Sequence, residues 1–136
     1  MIKSIVDASA LVALINGRDR HHGWAAEQVR TLTSPLITCE SVLSESLYVL
    51  GNVHGGSEAL YGFLENGIVE VSFDLALNQE FILELMRKYE DLPISLADAS
   101  LVRMSELFPE HFVFTLDSDF RTYRRFGRRV VPLITP

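Results

Sequence analysis

Short apolar runs alternate with longer stretches of helical periodicity along the whole chain, and this alternation limits the fold more than any other feature. Residues 2–6 read as a strand, with Asp7 at its end. Residues 8–15 read as a helix, broken at Asn16-Gly17. Residues 22–32 carry Trp24, Ala25, Val29 and Leu32 at helical spacing, before the break at Ser34-Pro35. Residues 36–38 form a short apolar strand, and residues 41–50 and 57–64 two further helices, stopped by Gly51 and by Asn66-Gly67. Residues 68–73 alternate apolar and polar side chains as a strand does. In residues 77–89, Leu77, Phe81, Leu85 and Tyr89 repeat every four positions, which predicts a helix. Residues 95–107 predict a helix and 112–116 a strand. Residues 118–126 predict a short helix with Gly127 as its left-handed cap, and 130–133 the last strand. Strands separated by helices imply a parallel sheet with helices on both faces.

The 136 residues suit one domain spanning 1–136, with no repeat, low-complexity segment or dividing linker. An ordinary apolar fraction with 22% charged residues excludes disorder. The single cysteine excludes a disulfide framework and fits a reducing, cytoplasmic setting. No apolar run approaches the roughly 20 residues that span a bilayer, so no membrane association is expected. The first apolar stretch contains Asp7 and lacks a cleavage site, so it reads as mature structure.

Charge is uneven. The first 120 residues carry 7 basic and 18 acidic side chains, whereas the last 16 carry Arg121, Arg124, Arg125, Arg128 and Arg129 and no acid. Such a chain does not coat nucleic acid generally. It fits a cation-gathering site beside a patch that holds a polyanion.

The acids fall where chemistry collects in open parallel sheets, at the carboxyl ends of strands. Asp7 ends the first strand; Asp117 and Asp119 follow the fourth. Glu45 and Asp98 lie on helices, among apolar residues three and four positions away, and so are expected along the stripes facing the sheet. Desolvating a lone carboxylate costs several kcal/mol or forces it neutral. A shared divalent cation with oxygen ligands, Mg²⁺ or Mn²⁺, is the economical compensation. Simpler roles remain open for each residue. Ser95-x-x-Asp98 can be a capping box, Asp7 and Asp117 can cap the helices that follow, and Glu45 can pair with an arginine. The arginine cluster can be a helix end enriched in bases. The four histidines lack zinc spacing, Cys39 reads as a small core residue, and no phosphate-binding loop or serine elbow is present.

Four segments together resemble the PIN domain, and within it the compact VapC-like toxin ribonucleases. They are Ile-Val-Asp7-Ala-Ser9-Ala-Leu-Val-Ala-Leu, Val42-Leu-Ser-Glu45, Leu96-Ala-Asp98-Ala99 and Thr115-Leu-Asp117-Ser-Asp119-Phe120. The resemblance covers nearly the whole chain. It implies an α/β/α sandwich around a parallel sheet of about five strands, and a metal-dependent endoribonuclease. By position, Asp7, Glu45, Asp98 and Asp117 match the family's four acids and Asp119 a variable fifth. Ser9 and Thr115 match hydroxyl residues that orient the acids. One or two Mg²⁺ or Mn²⁺ ions, an RNA substrate, a small VapB-like antitoxin and a homodimer are implied in the same way. Attack by activated water is then expected to leave 5′-phosphate and 3′-hydroxyl ends. The arginines at 121, 124, 125, 128 and 129 are expected to hold RNA phosphate.

Rival readings fit less well. A haloacid-dehalogenase phosphatase needs a second aspartate where Ser9 stands, and a receiver domain needs a lysine after a late strand. A non-catalytic PIN fold that binds RNA or a partner would have lost at least one of the four acids. A housekeeping RNA-processing nuclease is not separated from a toxin by these residues.

Overall fold

Neighbouring residues on the central strands point to opposite faces of the sheet, and both faces are apolar. In the computed structural model, which describes residues 1–136, Ile5, Ile37 and Val113 belong to one buried cluster. Their neighbours Val6, Leu36 and Phe114 belong to a second. A sheet buried on both sides needs a layer of helices over each face.

The elements follow in the order β1 (Ser4–Val6), α1 (Ala8–Ile15), α2 (His22–Val29), β2 (Leu36–Thr38), α3 (Glu40–Leu50), α4 (Gly56–Glu65) and β3 (Val69–Val71). Next come α5 (Gln79–Lys88), α6 (Leu96–Leu107), β4 (Phe112–Phe114), β5 (Arg124–Arg125), β6 (Arg129–Val130) and β7 (Leu133–Ile134). The main sheet has five strands in the order β3-β2-β1-β4-β7. All its pairings are parallel, with Ile5 opposite both Ile37 and Val113. Ala10–Ala13 of α1, Ala25 of α2 and Leu60 of α4 join the Val6–Phe114 cluster, and Ile82 of α5 and the buried apolar residues of α6 join the Ile5–Val113 cluster. This is the expected α/β/α sandwich.

Several elements differ from expectation, each for a local reason. The first strand begins at Ser4, and Ile2 makes only an isolated bridge to Leu32. Helix α2 ends at Val29, and the chain turns back so that the Ile2 amide donates to the Thr31 carbonyl and the Thr33 amide to the Ile2 carbonyl. Helix α5 starts at Gln79 after a 3₁₀ turn over Ala76–Asn78. Its buried face is centred on Ile82, with Leu85, Met86 and Tyr89 packed alongside. A spacing of four drifts from the 3.6-residue turn, so the stripe from Leu77 to Tyr89 winds around the helix. Leu77 is left 80% exposed, and Phe81 lies outward beneath the Arg103 guanidinium, 3.5 Å from its ring centroid. Ile82→Ala should therefore destabilise the protein by about 2–4 kcal/mol. Leu77→Ala should stay within about 0.5 kcal/mol. Urea unfolding of the two variants tests the assignment.

The largest correction concerns the C-terminal segment. No helix spans 118–126. A single 3₁₀ turn, Ser118–Arg121, is followed by a hairpin in which β5 and β6 pair antiparallel, Arg125 opposite Arg129. Tyr123 turns inward and is fully buried, and the Arg124 amide donates to Tyr89 Oη, not to a helical carbonyl. Gly127, at φ 82°, sits in the hairpin loop and not at a helix end. The last sheet strand is accordingly Leu133–Ile134, while Val130 belongs to the hairpin.

Candidate active site

Strand β1 lies inside the sheet. From it the chain steps out through β2 to β3, then returns past it to place β4 on its other side. The carboxyl ends of β1 and β4 thus flank the point where the connections diverge, which is where open parallel sheets present a crevice. Asp7 follows β1 directly. Its amide donates to the Phe114 carbonyl at 3.0 Å and holds the two strand ends level.

The Asp7 carboxylate is only 4% exposed and accepts three hydrogen bonds. Its Oδ1 takes the Ala8 amide at 2.7 Å, so it caps α1. Its Oδ2 takes Thr115 Oγ1 at 2.6 Å and Ser9 Oγ at 3.2 Å. The same two hydroxyls also accept. Ser9 Oγ receives the Leu116 amide and Thr115 Oγ1 the Asp117 amide, both at 2.9 Å. Ser9 and Thr115 therefore clamp Asp7 to the segment that carries Asp117. Asp117 Oδ1 in turn accepts the Asp119 amide at 2.9 Å and caps the 3₁₀ turn.

Asp98 comes from the first turn of α6. Ser95 Oγ accepts the Asp98 amide at 3.0 Å, which is one arm of the expected capping box. The carboxylate does not complete the box by reaching back. Its Oδ2 accepts Tyr123 Oη at 2.9 Å instead. Tyr123 packs edge-on against Tyr89 and Phe120, with centroids 5.3 and 5.2 Å away. It is the site residue that sequence reasoning missed. Nothing in local spacing pairs residues 98 and 123.

Glu45 corrects a second expectation. The buried face of α3 is Val42, Ser46 and Leu50, while Glu45 is exposed. It stands at the margin of that face, close enough to Asp98 and Asp117 to feel their charge. Asp119 is exposed at the rim, and its charge reaches Tyr123.

The electrostatics have one direction. Burial, then the nearby Glu45, raise the Asp7 carboxyl, partly offset by its hydrogen bonds. Partial desolvation and the charges of Asp98 and Asp117 raise Glu45. Burial lifts Asp98 to about 6, with Asp7 and Asp117 adding to it and Tyr123 opposing it. Burial and its bond to Asp98 push the Tyr123 phenol far up, so it stays a proton donor. The protein's two ion pairs, Arg30–Glu27 and Arg103–Glu106, lie elsewhere. No arginine or lysine pairs with a site carboxylate, which removes the ion-pair alternative for Glu45.

These oxygen donors, crowded and lacking a basic partner, fit a hard divalent cation. No three of the chain's histidine, cysteine, aspartate or glutamate side chains are arranged to hold an ion between them, so one or two carboxylates would have to share it with water and substrate phosphate, an arrangement common for Mg²⁺. A cavity of about 330 Å³ opens beside the acids, lined in part by Ser9, Val12, His21, Glu45 and Leu116.

The arginine cluster is divided. Arg124 Nη1 donates to the carbonyls of Arg121, Thr122 and Tyr123, and Arg125 Nη1 to those of Ser105 and Pro109. These two guanidiniums brace the backbone. Arg121 is exposed and reaches the Pro136 carbonyl, and Arg128 and Arg129 are exposed.

A family model described as the PIN domain matches residues 4–125, which contain every one of these acids and hydroxyls. The chain belongs to the PIN domain family. Ribonuclease VapC26 of Mycobacterium tuberculosis (strain ATCC 25618 / H37Rv) is 26% identical over 115 residues, covering 83% of this chain and 85% of that protein. The crystal structure of VapC20 from Mycobacterium tuberculosis, described as a sarcin-ricin loop cleaving toxin, superposes with a TM-score of 0.78. The match covers 88% of this chain and 94% of that one, at 22% identity, and establishes a common fold. No helix of this PIN domain is long and apolar enough to cross a membrane.

Proposed function

We propose that this PIN domain is a divalent-metal-dependent endoribonuclease and the toxin of a toxin–antitoxin pair. The observation that carries the reading is the group of carboxylates Asp7, Glu45, Asp98 and Asp117 at the point where the sheet's connections diverge, with no basic partner and with the proton affinities of Asp7, Glu45 and Asp98 raised. The relative named a ribonuclease supports RNA as substrate, and the fold shared with a toxin supports the biological role.

In this reading Asp7, Asp98 and Asp117 hold one or two Mg²⁺ or Mn²⁺ ions, with Glu45 reaching in from α3 and Asp119 at the rim. When bound, such an ion supplies Lewis acidity at the phosphate and a lowered pKa for water. Ser9 and Thr115 fix the carboxylate rotamers and keep the strand ends aligned. Tyr123 donates to Asp98 and fixes its plane. Looped or single-stranded RNA is the substrate class, because its bases are open to contact. Arg121, Arg128 and Arg129 meet phosphate, with Arg124 and Arg125 supporting them. A small VapB-like antitoxin closes the cavity beside Glu45, the working unit is a homodimer, and the protein acts in the cytoplasm.

The test is calorimetric titration of Mn²⁺ into the purified chain, followed by cleavage of a labelled stem-loop RNA with the same sample. Saturable binding, with cleavage that EDTA abolishes and that leaves 5′-phosphate ends, is expected. Metal-independent cleavage, or ends carrying a cyclic phosphate, would overturn the reading.

A further inference from the structure

The hairpin of residues 124–130 is held more rigidly than a surface turn requires. Arg125 is tied to the end of α6 through Ser105 and Pro109. The Phe126 amide donates to a Glu106 carboxylate oxygen at 2.6 Å, and Lys88 Nζ donates to the Gly127 carbonyl at 2.6 Å. Glu106 is itself paired with Arg103 in a mostly buried ion pair. What this scaffold presents is an aromatic ring. Phe126 is 49% exposed, and at φ 51° it occupies the left-handed region that bulky residues avoid. It is the only non-glycine residue of the chain with a positive φ. A strained residue is kept where surrounding contacts over-determine it, and an outlier of this kind points to use.

The surroundings of the ring indicate the ligand. The guanidinium carbons of Arg125 and Arg129 lie 5.4 and 5.9 Å from its centroid. A surface depression of about 450 Å³ is lined by Phe126, Arg128 and Arg129 alone. Neither Arg128 nor Arg129 forms an ion pair. An exposed aromatic face among unpaired arginines is the composition that holds single-stranded nucleic acid: the ring stacks a base and the cations hold adjoining phosphates. Tyr123, which bonds Asp98, immediately precedes β5. The hairpin is anchored beside Glu106, eight residues or about 12 Å along α6 from Asp98. A strand several nucleotides long, at about 3.4 Å per nucleotide or more, spans that distance.

We infer that the 124–130 hairpin is a preformed single-stranded RNA clamp, with Phe126 stacking one base and Arg128 and Arg129 binding the flanking phosphates. The inference rests on the reading that RNA is the substrate. It explains why the basic residues sit on an anchored hairpin and not on a helix end.

The test is fluorescence anisotropy with a labelled single-stranded RNA in metal-free buffer, over a range of salt, with cleavage in Mn²⁺ assayed in parallel. Phe126→Ala should weaken binding roughly 10- to 100-fold with an unchanged salt slope, since stacking releases few counterions. Phe126→Trp should retain binding. Arg128→Ala with Arg129→Ala should lower the slope of log affinity against log salt by about 1.4, at about 0.7 per lost phosphate contact. Wild-type protein that cleaves RNA, with Phe126→Ala binding as tightly as wild type, would overturn the clamp and leave the nuclease reading standing. Wild-type protein that binds RNA through Phe126 without cleaving it would do the reverse. Loss of self-association or antitoxin capture in Phe126→Ala, with RNA binding intact, would make the hairpin a protein-contact surface and overturn the clamp.

Discussion

Asp98→Asn should lose metal-dependent RNA cleavage by at least about 100-fold and yet melt at a higher temperature than the wild type in metal-free buffer. The first effect follows from removing a carboxylate that would hold the cation, which in turn would offset the developing phosphate charge, a loss of about 10²–10³ for one such group. The second follows from the sign of the Asp98 perturbation. Its folded-state pKa is raised from 3.8 to about 6. The protonated form is thus favoured by folding. The stability it contributes is fully present below the unfolded-state value and is lost as pH rises through about 6. At pH 7.5 the wild type carries the ionised, crowded carboxylate, and the amide relieves it. Asparagine keeps an oxygen to accept Tyr123 Oη, so the bond at 2.9 Å need not be lost. After allowance for partial solvent screening, the gain is about 1–2 kcal/mol, or roughly 3–8 °C. Calorimetric melts at pH 7.5 and pH 4.5 test this. The variant's advantage should shrink at the lower pH, where the wild type is itself protonated. Adding Mn²⁺ should raise the wild-type melting temperature more than the variant's. A variant unfolded in metal-free buffer would make Asp98 a structural residue.

Thr115→Val should be the most damaging near-isosteric change in the site. The hydroxyl donates to Asp7 and accepts from the Asp117 amide. Valine fills the same space but leaves a buried carboxylate short of its closest donor and an amide without a partner. Losing a bond to a charged group together with an orphaned donor gives about 2–4 kcal/mol of destabilisation. The Asp7 carboxyl, already raised by burial, should rise further, because the Thr115 bond is the largest influence holding it down. The pH profile of cleavage should therefore move upward. Thr115→Ser should restore both stability and profile, which simple loss of packing would not predict. Denaturant melts and a pH–rate curve of the three proteins decide it. The Asp7→Asn amide should be tolerated less well than that of Asp98→Asn. It would turn an NH₂ toward the Thr115 and Ser9 hydroxyls, each of which already receives a backbone amide.

Much of this was legible in the sequence because two periodicities were clean. The strand ends at Asp7 and Asp117 could be placed from apolar runs alone, and the acids there were marked by position. Glu45 was placed on the right helix but on the wrong part of its circumference. Its neighbours Tyr48 and Val49 look apolar in sequence but are exposed in the fold. Tyr123 could not be found, because its partner lies 25 positions away and its inward turn depends on Tyr89 and Phe120. The hairpin was hidden because Arg-Arg-Phe-Gly-Arg-Arg lacks the alternation of a strand and favours helix up to Gly127. Anchoring bonds from distant elements, including those to Glu106, Ser105 and Tyr89, override that local preference.

The direct clamp between Asp7 and Thr115 has a temporal consequence. These residues are separated by 108 positions, and their bond forms only when β4 docks against β1. Closing so long a loop is slow compared with forming local helices. A chain emerging from the ribosome must therefore be made past Asp117 before its first carboxylate acquires the second. Any excursion that peels β4 away breaks the Thr115–Asp7 bond and disarms the site. On the proposed reading of RNA as the substrate, the long-range strand pairing doubles as a safety catch during the protein's own synthesis.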